Sequence, residues 1–280
     1  MSQEHESKAE NSQLGKSVEV DNHYNPGRLF PILRKEKRDE IGVPEQLPFF
    51  GYDLWNHYEV SWLNHKGKPV VAIAEICYDC RTPSIIESKS MKLYFNSFNN
   101  TSFPTIENLK MTIEKDISSN VGGPVSVKLT PLESIQDTQL HGHFDGVCLD
   151  KLDIDCSKYT VDESFLKTES ELVEESVYSN LLKSNCLVTN QPDWGSVQIT
   201  YKGKKINHMG LLRYIVSFRN HNEFHEQCIE RIFMDILRQC QPEELTVYGR
   251  YTRRGGLDIN PYRSTKQINQ PIQNNRLCRQ

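Results

Sequence analysis

A chain of 280 residues, 25% charged and 37% hydrophobic, is long enough to bury one large core or two smaller ones. Its formal net charge of −4 supplies no basic excess for a phosphate-lined surface, which argues against a direct nucleic-acid partner. No stretch approaches the roughly 18 apolar residues of a membrane span. Met1 to Lys16 is polar and acidic and lacks the apolar centre of a signal peptide, so a cytoplasmic protein with no membrane partner is expected.

In chain order, residues 1–47 read as an N-terminal extension. The span 48–149 reads as a first module, with strands near 58–63 and 70–77, helices near 92–99 and 106–117, and strands near 124–129 and 142–149. Ile106, Leu109, Ile113 and Ile117 share one helical face. The acidic stretch 150–175 reads as a linker. A second module at 176–263 has strands near 186–189 and 196–202, helices near 207–219 and 225–240, and strands near 245–251 and 256–260. Residues 264–280 are polar and read as a loose tail.

The two modules look like copies. Tyr94, Ser97, Phe98 and Asn100 recur as Tyr214, Ser217, Phe218 and Asn220, each 120 positions later (214 minus 94). Each set is followed by a phenylalanine, Phe103 or Phe224, and then by an amphipathic helix. Both halves run strand, strand, helix, helix, strand, strand. Antiparallel strands with helices on one face give an α+β fold.

Eight cysteines in a chain of this length, without a secretory signal, are expected to be free thiols. Cys77-Tyr78-Asp79-Cys80 has redox or zinc spacing, but no second pair follows, and ordinary strand residues explain it. His141, His143 and Cys148 invite a metal, yet alternation along a strand accounts for them equally well. Cys186 stands out among polar and turn-forming neighbours. Asn190-Gln191-Pro192-Asp193 reads as a turn, because proline fixes φ and Asn and Asp tolerate turn geometry. Val197, Ile199 and Tyr201 then alternate with polar residues, as in a half-buried strand. A thiol at a loop rim with Asp193 seven positions on supplies a nucleophile and an acid.

Glu87-Ser88-Lys89-Ser90-Met91-Lys92-Leu93-Tyr94, the Cys186 segment, Glu223-Phe224-His225-Glu226-Gln227 and Tyr251-Thr252-Arg253-Arg254-Gly255-Gly256-Leu257-Asp258-Ile259-Asn260 together resemble the NADPH-dependent 7-cyano-7-deazaguanine reductases. These are the nitrile reductases of queuosine biosynthesis, a tRNA-modification pathway. The match is to the long, two-module branch and covers roughly 48–263. The resemblance implies tandem tunnelling-fold (ββααββ) modules and a homodimer.

It also implies a chemistry. Cys186 would add to the nitrile carbon as nucleophile and form a covalent thioimide, and Asp193 would protonate the nitrogen. Two NADPH per turnover would carry the nitrile to the aminomethyl group. Covalent addition divides one hard step into easier ones. Glu226 and Glu87 match positions that hold the deazaguanine, whose N–H groups suit a carboxylate acceptor. His225 would complete that contact, Phe224 would pack over the base, and Ile86 and Ser88 would contribute through their backbone. Ser88, Lys89, Arg254 and Gly255 match the cofactor positions, with the cations available to phosphate. There is no G-x-G-x-x-G segment, so no Rossmann site is indicated, and no metal is expected. The first half has no counterpart of the Cys186 segment. Two rival readings are a zinc-dependent pterin or GTP-type hydrolase of the same fold, and a noncatalytic purine- or tRNA-binding module. The first wants a clustered Cys and His ligand set. The second gives Cys186 and Asp193 no purpose.

Overall fold

The computed structural model describes residues 21, 23–136, 140–268 and 274–280. In chain order the elements are β1 (Pro31–Leu33), α1 (Arg34–Glu40), β2 (Phe50–Leu63), β3 (Pro69–Asp79), β4 (Ser84–Ile86), α2 (Ser88–Asn96), α3 (Ile106–Val121) and β5 (Val125–Pro131). There follow β6 (Leu140–His141), β7 (Val147–Cys148), β8 (Thr168–Asn185), β9 (Pro192–Ile206), α4 (His208–Val216), α5 (His225–Cys240), β10 (Glu244–Tyr251), β11 (Leu257–Ser264) and β12 (Arg276–Leu277). The chain divides into two compact units, one formed by 1–35, 54–138 and 253–258, the other by 36–53, 139–252 and 259–280. The fold is α+β with mostly antiparallel strands, and tandem tunnelling-fold modules account for its two repeats.

In the first unit β5, β3 and β2 lie side by side. Ala72, Ala74, Ile76 and Tyr78 alternate inward along β3, as a strand with one covered face requires. Leu109, Ile113, Ile117 and Val121 form the buried stripe of α3. That helix starts where Thr105 accepts the Asn108 N–H, and stops at Gly122, whose φ of 78° suits a residue without a side chain. In the second unit the order is β11-β10-β9-β8-β7. Val197, Ile199 and Tyr201 of β9 and Ile229, Ile232, Phe233 and Ile236 of α5 are all buried in its core.

The internal repeat extends further than the sequence shows. Ser97 and Ser217 each donate to the carbonyl of the tyrosine three residues earlier, both at 2.6 Å. Tyr94 donates to Asp116 at 2.8 Å, and Tyr214 to Asp235 at 2.6 Å. In each unit an upstream strap crosses the helix pair. The Asn25 N–H donates to Ser97 Oγ, and the Asp162 N–H to Ser217 Oγ. Further along, Phe30 O accepts the Glu87 N–H and Lys167 O accepts the Asn207 N–H. Glu87 and Asn207 are the equivalent N-caps of α2 and α4. Residues in the 1–47 and 150–175 segments are thus ordered straps in both repeats. They differ in one side chain. Tyr24 donates to Asp116 and stacks on Phe98 at 5.3 Å. Its counterpart is Val161, which lines a groove of about 490 Å³ with Asp235 and Arg238.

Four expectations need correction. The acidic stretch expected as linker is strand from Thr168 onward, because β8 pairs with β9 while Glu169, Glu171 and Glu174 face solvent and Glu175 accepts from Tyr201. The strand expected at 186–189 is instead a turn, and the strand lies before it, in β8. The strand expected at 142–149 shrinks to β7 because the chain bends through Gly146, which has φ 120°. The polar tail is anchored: Gln280, 5% exposed, donates to Tyr251 O and Asn260 Oδ1 and accepts from Arg250.

One buried ion cluster fixes α5. Glu230 accepts two hydrogen bonds from Arg38 and two from Arg263. Arg263 is fully buried; it also pairs with Asp53 at 2.9 Å and donates to the carbonyls of Tyr52 and Tyr262. Every donor of that fork meets an oxygen, which buried charge requires.

The repeated tyrosine–aspartate bond is testable. Tyr214→Phe is expected to destabilise the protein by about 1.5–3 kcal/mol, the usual worth of a hydrogen bond to a charged group. Urea unfolding should show a lower midpoint at unchanged slope. A midpoint equal to wild type would remove this contact from the list of folding determinants.

Candidate active site

Cys186 follows the last residue of β8, and Asp193 is the second residue of β9. Register pairs Asn185 with Pro192 and Ser184 with Asp193, so residues 186–191 form the closed end of one hairpin. Within it the Cys186 N–H donates to Gln191 O at 2.8 Å, and the Asn190 N–H donates to Cys186 O at 3.0 Å. Asn190 takes a left-handed φ of 57°, a conformation asparagine tolerates better than most residues. Cys186 is 5% exposed and Asp193 4%. All eight cysteines are free thiols.

Asp193 has a partner that the sequence did not reveal. His225, the first residue of α5, places Nε2 3.3 Å from Asp193 Oδ2. Its ring lies flat on Tyr251, with centroids 3.9 Å apart and planes 9° from parallel. Gly195 permits this stack: a Cβ there would stand 3.1 Å from the Tyr251 ring. His225 Nδ1 is buried with no hydrogen-bond partner among the described residues. Glu226 is only 2% exposed, so it is not a solvated first-turn glutamate. The Gln227 side chain accepts the Phe224 N–H and closes the helix start. Cys228 lies beside the Tyr251 hydroxyl. Burial first, and the Glu223 charge second, push its thiol up to about 12 and keep it protonated at neutral pH.

The hairpin end is braced from the segment that precedes α5. The Asn185 N–H donates to His221 O at 2.7 Å, and the Glu223 N–H donates to Asn185 O at 3.1 Å. Glu223 is 1% exposed and accepts from Arg231 at 2.7 Å and His221 at 2.9 Å. Burial pushes the Glu223 carboxyl up, but the bonds from His221 and Arg231 outweigh it and hold the group below the usual carboxylate range. Lys183 reaches Asn185 Oδ1 and the Arg219 carbonyl.

The remaining motif residues lie in the first unit. Ile86 ends β4, paired with Pro31 and buried. Glu87, expected to hold substrate, has its carboxylate on the start of α2, where it accepts the Lys89 N–H at 2.7 Å and the Ser90 N–H at 2.8 Å. Burial raises its carboxyl, and the two amides offset this only in part. Ser88 and Lys89 are half-exposed in the first turn. Arg254 and Leu257 exchange backbone bonds around Gly255 (φ 58°) and Gly256 (φ 79°), a two-residue turn that needs left-handed backbone at both centres. Lys92, one turn after Lys89, packs on this turn: a Cβ on Gly255 would lie 2.8 Å from Lys92 Cδ. Helix α2 thus meets the Arg254–Gly255 turn through the Lys92 side chain. Lys92 also pairs with Glu59 at 3.4 Å, and a Cβ on Gly256 would stand 2.5 Å from Glu59 Cδ, so charges of both signs flank the turn. Lys92 belongs to the Glu87–Tyr94 motif, and its three-residue spacing from Lys89 makes the two neighbours on the helix surface.

The His141, His143 and Cys148 set does not converge: His143 stacks on Tyr178, and its Nδ1 lies 2.8 Å from Phe144 O. Among the described residues no group of three or more His, Cys, Asp or Glu side chains is placed to hold a metal ion. No helix among them is long and apolar enough to cross a membrane.

Comparison with known proteins decides the family. Residues 20–129 match the model described as nitrile reductase, 7-cyano-7-deazaguanine-reductase N-term, and residues 192–270 match that of the QueF-like proteins. A curated NADPH-dependent 7-cyano-7-deazaguanine reductase of Legionella pneumophila (strain Lens) is 66% identical over 273 residues, 97% of this chain and 96% of the relative. The chain belongs to the NADPH-dependent 7-cyano-7-deazaguanine reductases, a family of oxidoreductases. The reductase of Dechloromonas aromatica (strain RCB) is 57% identical over 256 residues, 91% of this chain and 90% of the relative. That of Polaromonas sp. (strain JS666 / ATCC BAA-500) is 54% identical over 273 residues, 97% of this chain and 98% of the relative. Likeness to the reductases therefore extends beyond the 48–263 span of the motifs, and the first matched stretch takes in the Tyr24–Phe30 strap.

The Glu223 brace makes acid stability a readout. A carboxyl held low in the fold contributes stability above its unfolded value, about 4.3. That contribution is lost as pH falls through the depressed folded value. Glu223→Gln should cost about 1–3 kcal/mol at neutral pH and show a shallower further loss on acidification, read from urea midpoints across the acid range. Parallel curves for the two proteins would disprove the link.

Proposed function

We propose that the protein reduces the nitrile of 7-cyano-7-deazaguanine to 7-aminomethyl-7-deazaguanine for queuosine biosynthesis, as a cytoplasmic homodimer. The reading rests chiefly on the hairpin end that carries Cys186 and Asp193, both buried, with His225 on Asp193. The names of the curated relatives support the substrate and NADPH.

In this reading the Cys186 sulfur forms a bond to the nitrile carbon while one π pair of the C≡N group moves to nitrogen. Asp193 takes the thiol proton as the S–C bond forms and donates it to that nitrogen, so that thiol and nitrile sum to the thioimide. His225 holds Asp193 Oδ2 in place, and Tyr251 holds the His225 ring. Burial of the thiol and acid excludes water that would hydrolyse the adduct. Glu226 accepts the N–H donors of the guanine-like edge, Phe224 packs over the base, and His225 contributes beside them. NADPH, when bound, supplies the hydride for each of two reductions, and Ser88, Lys89, Arg254 and Gly255, with Lys92 beside them, would hold its phosphates. Glu87 has a capping carboxylate, so its contribution to recognition runs through the helix start that it orders.

Cys186→Ala should abolish reduction and adduct formation together. Intact-protein mass spectrometry with substrate and without NADPH should show one adduct on the wild type and none on the variant. An adduct that persists on Cys186→Ala would end the nucleophile assignment.

Glu226→Gln should weaken substrate binding by roughly 2–4 kcal/mol, the combined scale of a lost charged bond and an unsatisfied donor. That is about 30- to 1,000-fold in affinity. Calorimetric titration in a Cys186→Ala background isolates binding from chemistry, and NADPH affinity should hardly move. Equal substrate affinities would return Glu226 to a purely structural role.

A further inference from the structure

The loop that carries Cys186 is held shut by a side chain outside it. Asn222 lies beside Asn185 in an isolated parallel bridge, flanked by the two backbone bonds that His221 and Glu223 make to Asn185. Its amide faces both ends of the loop. Asn222 Oδ1 accepts from Asn185 Nδ2 at 3.1 Å, on the residue before the thiol. Asn222 Nδ2 donates to Asn190 Oδ1 at 3.0 Å, on the residue that closes the turn. Asn190 carries the left-handed φ of 57°, a conformation with a small cost for a residue with a Cβ that the bond from Asn222 helps to offset. A carboxamide alone among side chains of this length offers a donor and an acceptor at once. The same short segment continues through Glu223, buried against Arg231, so the clamp is anchored to α5.

We propose that Asn222 is a positioning residue for the nucleophile. It closes the 186–191 loop and presets the direction in which the Cys186 sulfur leaves it. It touches neither substrate nor cofactor; it acts through Asn185 and Asn190. The proposal rests on the reading of Cys186 as nucleophile, and the test separates the two.

Adduct formation is followed by quenched-flow mass spectrometry at saturating 7-cyano-7-deazaguanine, without NADPH. Binding of the same compound is measured by calorimetry in a Cys186→Ala background. Asn222→Ala should slow adduct formation at saturation about tenfold or more, since small misplacements of a reacting atom carry penalties of that order. Affinity should change by less than about twofold, because no binding group is lost. Asn222→Asp keeps the acceptor for Asn185 and loses the donor for Asn190, and its rate should fall between the two; it also stands in if the alanine variant does not fold. Asn190→Gly keeps the turn and removes the clamp's far partner, so Asn222→Ala should cost less in that background than in the wild type. An unchanged adduct rate in Asn222→Ala overturns the proposal. So does an affinity loss as large as the rate loss, which would make Asn222 a binding residue. Absence of any adduct on the wild type overturns the nucleophile reading itself.

Discussion

The Glu230 carboxylate, shared between Arg38 and Arg263, is the contact on which the second unit depends. Arg263 has no exposure to water, and Asp53 and Glu230 together balance its charge. Removing one partner of such a cluster leaves a buried charge uncompensated, at a cost of about 3–5 kcal/mol. The cluster sits little more than one turn along α5 from His225 and Glu226, so it fixes the first part of that helix. The Glu223–Arg231 pair adds a second anchor at the helix start. Between them they give the first turn of α5 little freedom, and that turn faces the hairpin end bearing Asp193.

Much of the architecture was legible in the sequence, and the reasons are specific. Helix α5 was legible near 225–240 because Ile229, Ile232, Phe233, Ile236 and Leu237 repeat at helical spacing. The recurrence of Tyr, Ser, Phe and Asn marked the duplication, and three of the four repeat a contact: the tyrosines bond Asp116 and Asp235, the serines bond the tyrosine carbonyls, and the phenylalanines pack on the tyrosine rings. The straps escaped notice because they repeat through backbone bonds to Ser97, Ser217, Glu87 and Asn207, while their side chains diverged, as Tyr24 and Val161 show. The Cys186–Thr189 stretch read as strand on its β-branched and apolar composition; the turn at Asn190 overrides that preference. Strand β8 hid behind its glutamates, since a sheet face left to solvent needs no apolar alternation.

The site was legible in part. Cys186, Asp193 and Glu226 were visible through their motifs, and the structure buries all three. The His225–Asp193 contact and the Tyr251 stack were not, because they join residues 32 and 26 positions apart (225 minus 193, 251 minus 225) that only the fold brings together. Glu87 shows the opposite situation. Its motif points to recognition, and its carboxylate is engaged at a helix start. The equivalent position in the second repeat, Asn207, caps α4 in the same manner. The cap is therefore common to both repeats.

The Tyr24 strap bears on how short the chain can be made. A protein begun at Pro48 would keep every motif residue and every strand of the first ββααββ unit. It would also strip the hydroxyl of Tyr24 from Asp116, the backbone N–H groups of Asn25 and Phe30 from Ser97 and Ser90, and an aromatic ring from the face of Phe98. Strand β4, left without β1, would lose its only partner in that two-stranded sheet just before Glu87. Trimming what looks like a dispensable leader would thus loosen the start of α2 in the first unit, and it would also take Arg38 from Glu230 and leave Arg263 alone to balance that carboxylate in the second.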